Sequence, residues 1–301
     1  MLSDEARART ICDHGTYNLM LSQLYKEGLY ESQRNRIADS YKEELRAAHP
    51  FSPYEWEMFT VLELYDTMTL RHSLRVFALI AEKIESKRPL GYFLRSYLAK
   101  ESISKDDVYR AALFHDIGKT SLPKEILHDE TSDKDWLLLA KVFLTARQYE
   151  AVCELLGKHS KLRAKDIIPF SYTLTKESIE SFQRMGIDPY QPLGTLLAEH
   201  AGISGEILRS YHFSTSAEIA ENHHNTPLHK HLRKASISSF RACSILRVAD
   251  IFDAILHRRS YKRASTHIRA LEEIESEATV HGFIENKLAH LWIADELSIK
   301  T

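Results

Sequence analysis

Ten glycines and eight prolines stand among 301 residues, about 6% of the chain and roughly half the usual combined share. Turn-rich all-β folds need both residues for their hairpins, so a chain this poor in them is not assembled from many short strands. Apolar residues recur at helical spacing through most of the sequence, and no period-2 run of strand length interrupts them. The expected fold class is all-α, with long helices and few connections.

Charge narrows the partners. Forty Lys and Arg against 42 Asp and Glu leave a formal net charge of −2 with the histidines neutral. That lacks the basic excess by which proteins hold a DNA or RNA duplex. Apolar residues at 44% are enough for one sizeable core and exclude disorder as the main state. Cys12, Cys153 and Cys243 form no Cys-x-x-Cys pair, which argues against a disulfide framework and a thiolate zinc site. The N-terminal MLSDEARART is polar, and no apolar run reaches the length of a membrane span, so a cytoplasmic location without membrane contact is expected.

Residues 1–53 read as an N-terminal helical segment ending at the break marked by Pro50 and Pro53. One long helical pattern runs from Tyr54 to about Ser86, and a second from Lys105 to Phe114 stops in the loop HDIGKTSLP. LLLAKVFLTARQYEAVCELLGKH reads as a helix or helix pair, and KLRAKDIIPFSY as a polar connector. Helical stretches follow near Pro192–His200, Ser214–His224, Ser236–Arg258 and Ile268–Ala278.

Five of the sixteen histidines, His72, His115, His200, His223 and His224, sit at helix ends or inside apolar sequence. His115-Asp116 follows Val108, Ala111, Ala112, Leu113 and Phe114, which draws the pair into the core. A buried carboxylate is expensive unless a cation or a hydrogen-bond network satisfies it, although His-Asp alone could also be a plain helix end. Gly118 lets the backbone turn, and Lys119 returns a positive charge to that corner. His223-His224 are adjacent, so their side chains point about 100° apart on a helix and cannot both face a solvent-free core unless something holds them. Asp250 lies between Val248, Ala249, Ile251 and Phe252, with Asp253 one turn further along the same face. Imidazole and carboxylate without thiolate suit Fe, Mn, Zn, Co or Ni. Seven such groups exceed what one ion needs and fit two, and two-metal sites mainly hydrolyse phosphate esters.

The order H…HD…H…HH…D resembles the HD superfamily of metal-dependent phosphohydrolases. Its strongest pieces are FHDIGKTSLPKEIL, LTKESIE…EH…GEIL, AEIAENHH and VADIFDAILHRRSYKRA. Within the superfamily the order is most similar to the HD-GYP branch, which hydrolyses cyclic di-GMP. The resemblance covers about residues 60–290, with 128–170 interposed as a helical insertion, either a decorative hairpin or a lid or protein-partner surface. It implies an HD-domain helical bundle over 54–295, preceded by the N-terminal extension.

By position, the resemblance places His72, His115, Asp116 and Asp250 around one divalent ion. His200, His223 and His224 would hold a second, with Asp116 bridging. The cofactors implied are two divalent ions, iron or manganese first. Lys119 would meet the substrate phosphate, and Asp253, Arg259 and Lys262 would bind substrate, with Asp253 also handling protons. The implied activity is a phosphodiesterase opening a cyclic dinucleotide, cyclic di-GMP first, with hydroxide generated at the metal pair. The alternatives are another nucleotide phosphoester as substrate and a silent nucleotide- or protein-binding module. After the double histidine the chain reads NTPLHKHLRKAS where the branch carries an acid and a Gly-Tyr-Pro loop, which leaves the substrate open. Met68 stands where some members place a glutamate for a third metal, so two ions are expected rather than three.

Overall fold

A computed structural model describes residues 15–41, 45, 51–127, 132–158, 163–184, 187–224, 237–257, 266–279 and 284–298. Among the described residues the chain is helical, and its β contact is the isolated antiparallel bridge between Pro169 and Pro192. Contacts divide it into two compact units, Met1–Ser121 with His200–Thr301, and Leu122–Glu199.

In the first unit α1 (Gly15–Lys26) and α2 (Tyr30–Ser40) lean on α3 (Pro53–Tyr65). The start of α3 is set by a capping box: Ser52 accepts from the Glu55 amide while the Glu55 carboxylate accepts from the Ser52 amide, and Pro53 occupies the first helical position. The single helix expected over 54–86 is two. Asp66 adopts an extended conformation, and its carboxylate accepts from the Met68 amide at 3.0 Å and from the Thr69 hydroxyl at 2.6 Å. The Asp66 side chain therefore caps the next helix, α4 (Thr67–Glu85), and breaks the previous one.

Along α4 the residues Leu70, Ser73, Leu74, Phe77, Ile80, Ala81 and Ile84 are buried, a stripe at i, i+3, i+4, i+7. That face meets α6 (Lys105–Phe114) and α13 (Ile237–Leu256), with α5 (Pro89–Lys100) packed alongside. α12 (Ser214–Glu221) packs on α6 and α13, and α14 (His267–Thr279) and α15 (Asn286–Ser298) complete the core. Neither α5 nor α15 is in the sequence reading.

The second unit contains the segment 128–170. α7 (Lys124–Leu127) opens it, and α8 (Asp133–Phe143) packs through Trp136 and Ala140 on the 3-10 turns Ala164–Asp166 and Phe170–Thr173. The helix pair expected there is α8 and α9 (Ala146–Lys158), and α10 (Lys176–Arg184) buries Phe182 against Phe170. α11 (Leu193–Ser210) begins in this unit, and its residues from His200 onward belong to the first. No helix among the described residues is long and apolar enough to cross a membrane.

One buried charge ties α4 to α15. Lys83 is 1% exposed, its Nζ lies 2.8 Å from Asp295 and 2.6 Å from Glu296, and it sits 5.9 Å from the centre of the Trp292 ring. Burial alone would lower the Lys83 pKa, but the two carboxylates outweigh it and the pKa is raised above 10.5. Lys83→Met is expected to lower unfolding free energy by about 3 kcal/mol in urea titrations. That is the low end for breaking a buried pair, because Arg88 and His267 still approach the two carboxylates. The deficit should hold through neutral pH and shrink only in alkali, where wild type also loses the ammonium. Wild-type stability in the variant would show that the network contributes nothing net.

Candidate metal centre

α6 delivers the first pair. Ser104 caps it, Asp106 and Asp107 suit its positive end, and its apolar face buries Val108, Ala111, Ala112, Leu113 and Phe114. His115 and Asp116 follow at the buried end, leading into the 3-10 turn Ile117–Ser121. Gly118 has a different reason from the one the sequence implies. It has no left-handed backbone, but a Cβ there would lie 2.1 Å from the His200 carbonyl oxygen and 2.7 Å from the Ser204 nitrogen. The missing side chain lets the His200 end of α11 press against the turn, and the Gly118 amide donates to Ser204 Oγ at 2.8 Å.

α12 ends at Glu221, so His223 and His224 stand in the turn after the helix rather than on it. That turn is clamped from α13. The Arg247 guanidinium donates to the His223 carbonyl at 3.0 Å and to the Glu277 carboxylate at 2.7 and 3.0 Å. Sequence reasoning misses Arg247 and Glu277, because nothing in either local pattern marks a residue whose partner is 24 or 30 positions away.

The seven groups singled out from the sequence come together. His72, His115 and Asp250 form one set, His200, His223 and His224 another, and His115, Asp116 and His223 a third. Within each set the candidate ligand atoms lie within 4.8 Å of one another. Asp116 stands between them. Its Oδ1 is 3.0 Å from His200 Nε2, while its Oδ2 is 3.5 Å from His115 Nε2, 3.8 Å from His72 Nε2 and 2.5 Å from Lys119 Nζ. Asp250 Oδ1 is 2.9 Å from His72 Nε2.

Protonation favours cation binding. Burial pushes the pKa of His115 down, against the pull of Asp116 and Asp250. Burial first, and then the neighbouring imidazoles, push His223 and His224 well below the usual histidine range. Burial would raise the Asp116 carboxyl, but Lys119, His115 and His200 hold it well below the usual carboxylate range. His115 Nδ1 faces the Ala112 carbonyl at 2.9 Å and His223 Nδ1 the Ala220 carbonyl at 2.5 Å. A neutral ring with Nδ1–H donated in this way presents the Nε2 lone pair, the arrangement of a metal-ligating histidine. Both Nε2 atoms are buried without a hydrogen-bond partner among the described residues. Such orphaned acceptors beside an ionised carboxylate fit a divalent cation.

Asp253 is turned away from this space, against its expected part in substrate and proton handling. Its Oδ2 meets His72 Nδ1 at 2.6 Å, on the far side of the ring from Asp116 and Asp250, and the Arg75 guanidinium grips both its oxygens at 2.7 and 2.9 Å. Burial would raise its pKa, but His72 and Arg75 bring it down to about 2. Asp253 is placed to orient His72, with Arg75 to orient Asp253. Arg259 and Lys262 lie outside the described residues.

Residues 69–184 match the family model of the HD domain. The match takes in His72, His115, Asp116 and Lys119 and stops before His200, His223, His224 and Asp250, which join the HD pair through the fold alone. No curated protein and no solved structure matches the chain.

Asp253→Asn is expected to weaken divalent-metal binding by about ten- to a hundredfold in a chelator competition, the usual cost of losing a carboxylate behind a ligating histidine, with unchanged far-UV circular dichroism. Unchanged affinity would mean that Asp253 merely neutralises Arg75.

Proposed function

We propose that the protein is a metal-dependent phosphohydrolase that cleaves a phosphodiester, with a cyclic dinucleotide, cyclic di-GMP first, as its substrate. The observation that carries this reading is Asp116, ionised and buried, with one oxygen toward each histidine set and Lys119 on its outer edge. His72, His115, Asp116 and Asp250 would hold one divalent ion and His200, His223, His224 and Asp116 the other. The HD-GYP-like order of motifs over 54–295 supports the choice of substrate.

Divalent ions bound there would supply positive charge to the phosphoryl oxygens and lower the pKa of water. The chain's own residues do the rest. The neutral imidazoles keep their lone pairs inward because backbone carbonyls hold the Nδ1 protons of His115 and His223. Asp253 and Arg75 keep the His72 ring from rotating. Lys119 has 15% of its side chain exposed, and its ammonium can donate to a non-bridging phosphoryl oxygen without leaving Asp116. Arg259 and Lys262 are proposed to complete the charge around the phosphate. Iron or manganese is proposed as the native metal, since the donors are imidazole and carboxylate alone.

A second reading keeps the chemistry and changes the substrate to another nucleotide phosphoester. It is favoured by the sequence NTPLHKHLRKAS in place of a Gly-Tyr-Pro loop. A panel of cyclic di-GMP, linear dinucleotides and nucleoside mono- and triphosphates, assayed with Mn²⁺ and anaerobically with Fe²⁺, separates the two. Asp116→Asn is expected to cost at least about a thousandfold in kcat/KM on whichever substrate is turned over, more than 4 kcal/mol of transition-state stabilisation. Full turnover in that variant, or no turnover of any phosphoester by metal-replete wild type, would overturn the reading.

A further inference from the structure

His223 and His224 are neighbours in the chain, yet their ring centres lie 3.9 Å apart, and both approach the His200 ring, at 5.4 and 5.1 Å. On a continuing helix the two side chains would diverge by about 100°. Their convergence is made by the main chain, which leaves the helix at Asn222 with φ −102° and ψ 6°. Carbonyls beyond a helix end have no helical amide to bond, so such a turn keeps its shape where other donors hold it.

Arg247 supplies such a donor. Its Nη1 donates to the His223 carbonyl at 3.0 Å, while Nε and Nη2 donate to Glu277 Oε2 on α14 at 3.0 and 2.7 Å. The contact is deep: 11% of the Arg247 side chain and 8% of the Glu277 side chain are exposed, and His223 is buried. A guanidinium is planar, so two nitrogens fixed by Glu277 also set the direction of the third. That hydrogen bond places the His223 main chain, and with it both rings. Arg247 also stands one turn before Asp250 on the same face of α13. The helix that gives a carboxylate to the His72 and His115 set thus holds the turn that gives two imidazoles to the other.

We propose, resting on the two-ion reading above, that Arg247 is a positioning residue for the second ion. Its fork ties the His223-His224 turn to α13 and so fixes the set of His200, His223 and His224 relative to the set containing Asp250. A guanidinium has no acceptor atom and cannot itself ligate a cation, so Arg247 acts through the main chain of His223. A plain ion pair between α13 and α14 would cost stability when broken and leave both ions in place, which separates the two roles.

The full-length protein is loaded with manganese. The metal is counted per folded chain, a chelator competes for each ion, and electron paramagnetic resonance reports whether the ions are coupled. Wild type is expected to hold two coupled ions. Arg247→Met should hold one, with the signal of an isolated ion, unchanged affinity for it and unchanged far-UV circular dichroism. Arg247→Lys keeps the charge but replaces the planar fork by a single point, so its second ion should bind at least about tenfold more weakly. A folded Arg247→Met that keeps two coupled ions, one that loses both, or wild-type affinity in Arg247→Lys would each overturn the proposal and leave the functional reading standing. Wild type that takes up neither manganese nor iron nor zinc would remove the two-ion reading, and this inference with it. Arg247→Lys decides the matter even if Arg247→Met fails to fold.

Discussion

A carboxylate that is 1% exposed and still ionised is the constraint on which the rest of this structure turns. Removing Asp116 from water would cost several kcal/mol if nothing replaced its hydration, so the surrounding architecture can be understood as the means of replacing it. Lys119 is three residues away on the same turn, His200 arrives on α11, and Gly118 lets that helix come close enough. The same carboxylate divides its oxygens between two groups of imidazoles, which makes a helix end into a centre with two sides.

The supports of that centre form a second layer of paired charges. Arg75 holds Asp253, which holds His72, and Arg247 holds both Glu277 and the His223 carbonyl. Each arginine reaches a carboxylate with more than one nitrogen, which fixes the partner's orientation as well as its charge. Lys83 with Asp295 and Glu296 plays the corresponding part between helices further from the centre. The carboxylates of these pairs and Lys83 are buried, which shields them from water and from screening by salt, whereas Arg75 keeps about a third of its side chain exposed.

What was legible in the sequence, and what was not, follows from the range of the interactions. The helical class could be read from the scarcity of Gly and Pro, and the helix from Lys105 to Phe114 from its apolar spacing and the stop in HDIGKTSLP, because both are local. Polar groups in apolar surroundings, His115-Asp116 and Asp250, stood out because such positions need a compensating partner wherever it lies. The break at Asp66 was hidden: an aspartate in a helical pattern is ordinary until its side chain is seen to accept from Met68 and Thr69. The direction in which Asp253 points was also hidden. It shares a face with Asp250 in sequence, yet Arg75, 178 positions earlier, draws it behind His72. Arg247 and Lys83 read as ordinary charged residues until the fold supplies their carboxylates.

The central claim is that seven imidazole and carboxylate side chains hold two divalent cations that share Asp116. It is tested most directly by counting metal per folded chain, by inductively coupled plasma mass spectrometry on anaerobically purified protein after reconstitution with iron or manganese. The account predicts two ions per chain in wild type and one in His200→Ala, which should keep the set containing His72, His115 and Asp250. A wild-type protein that takes up no iron, manganese or zinc, or a His200→Ala protein that still holds two ions, would contradict it.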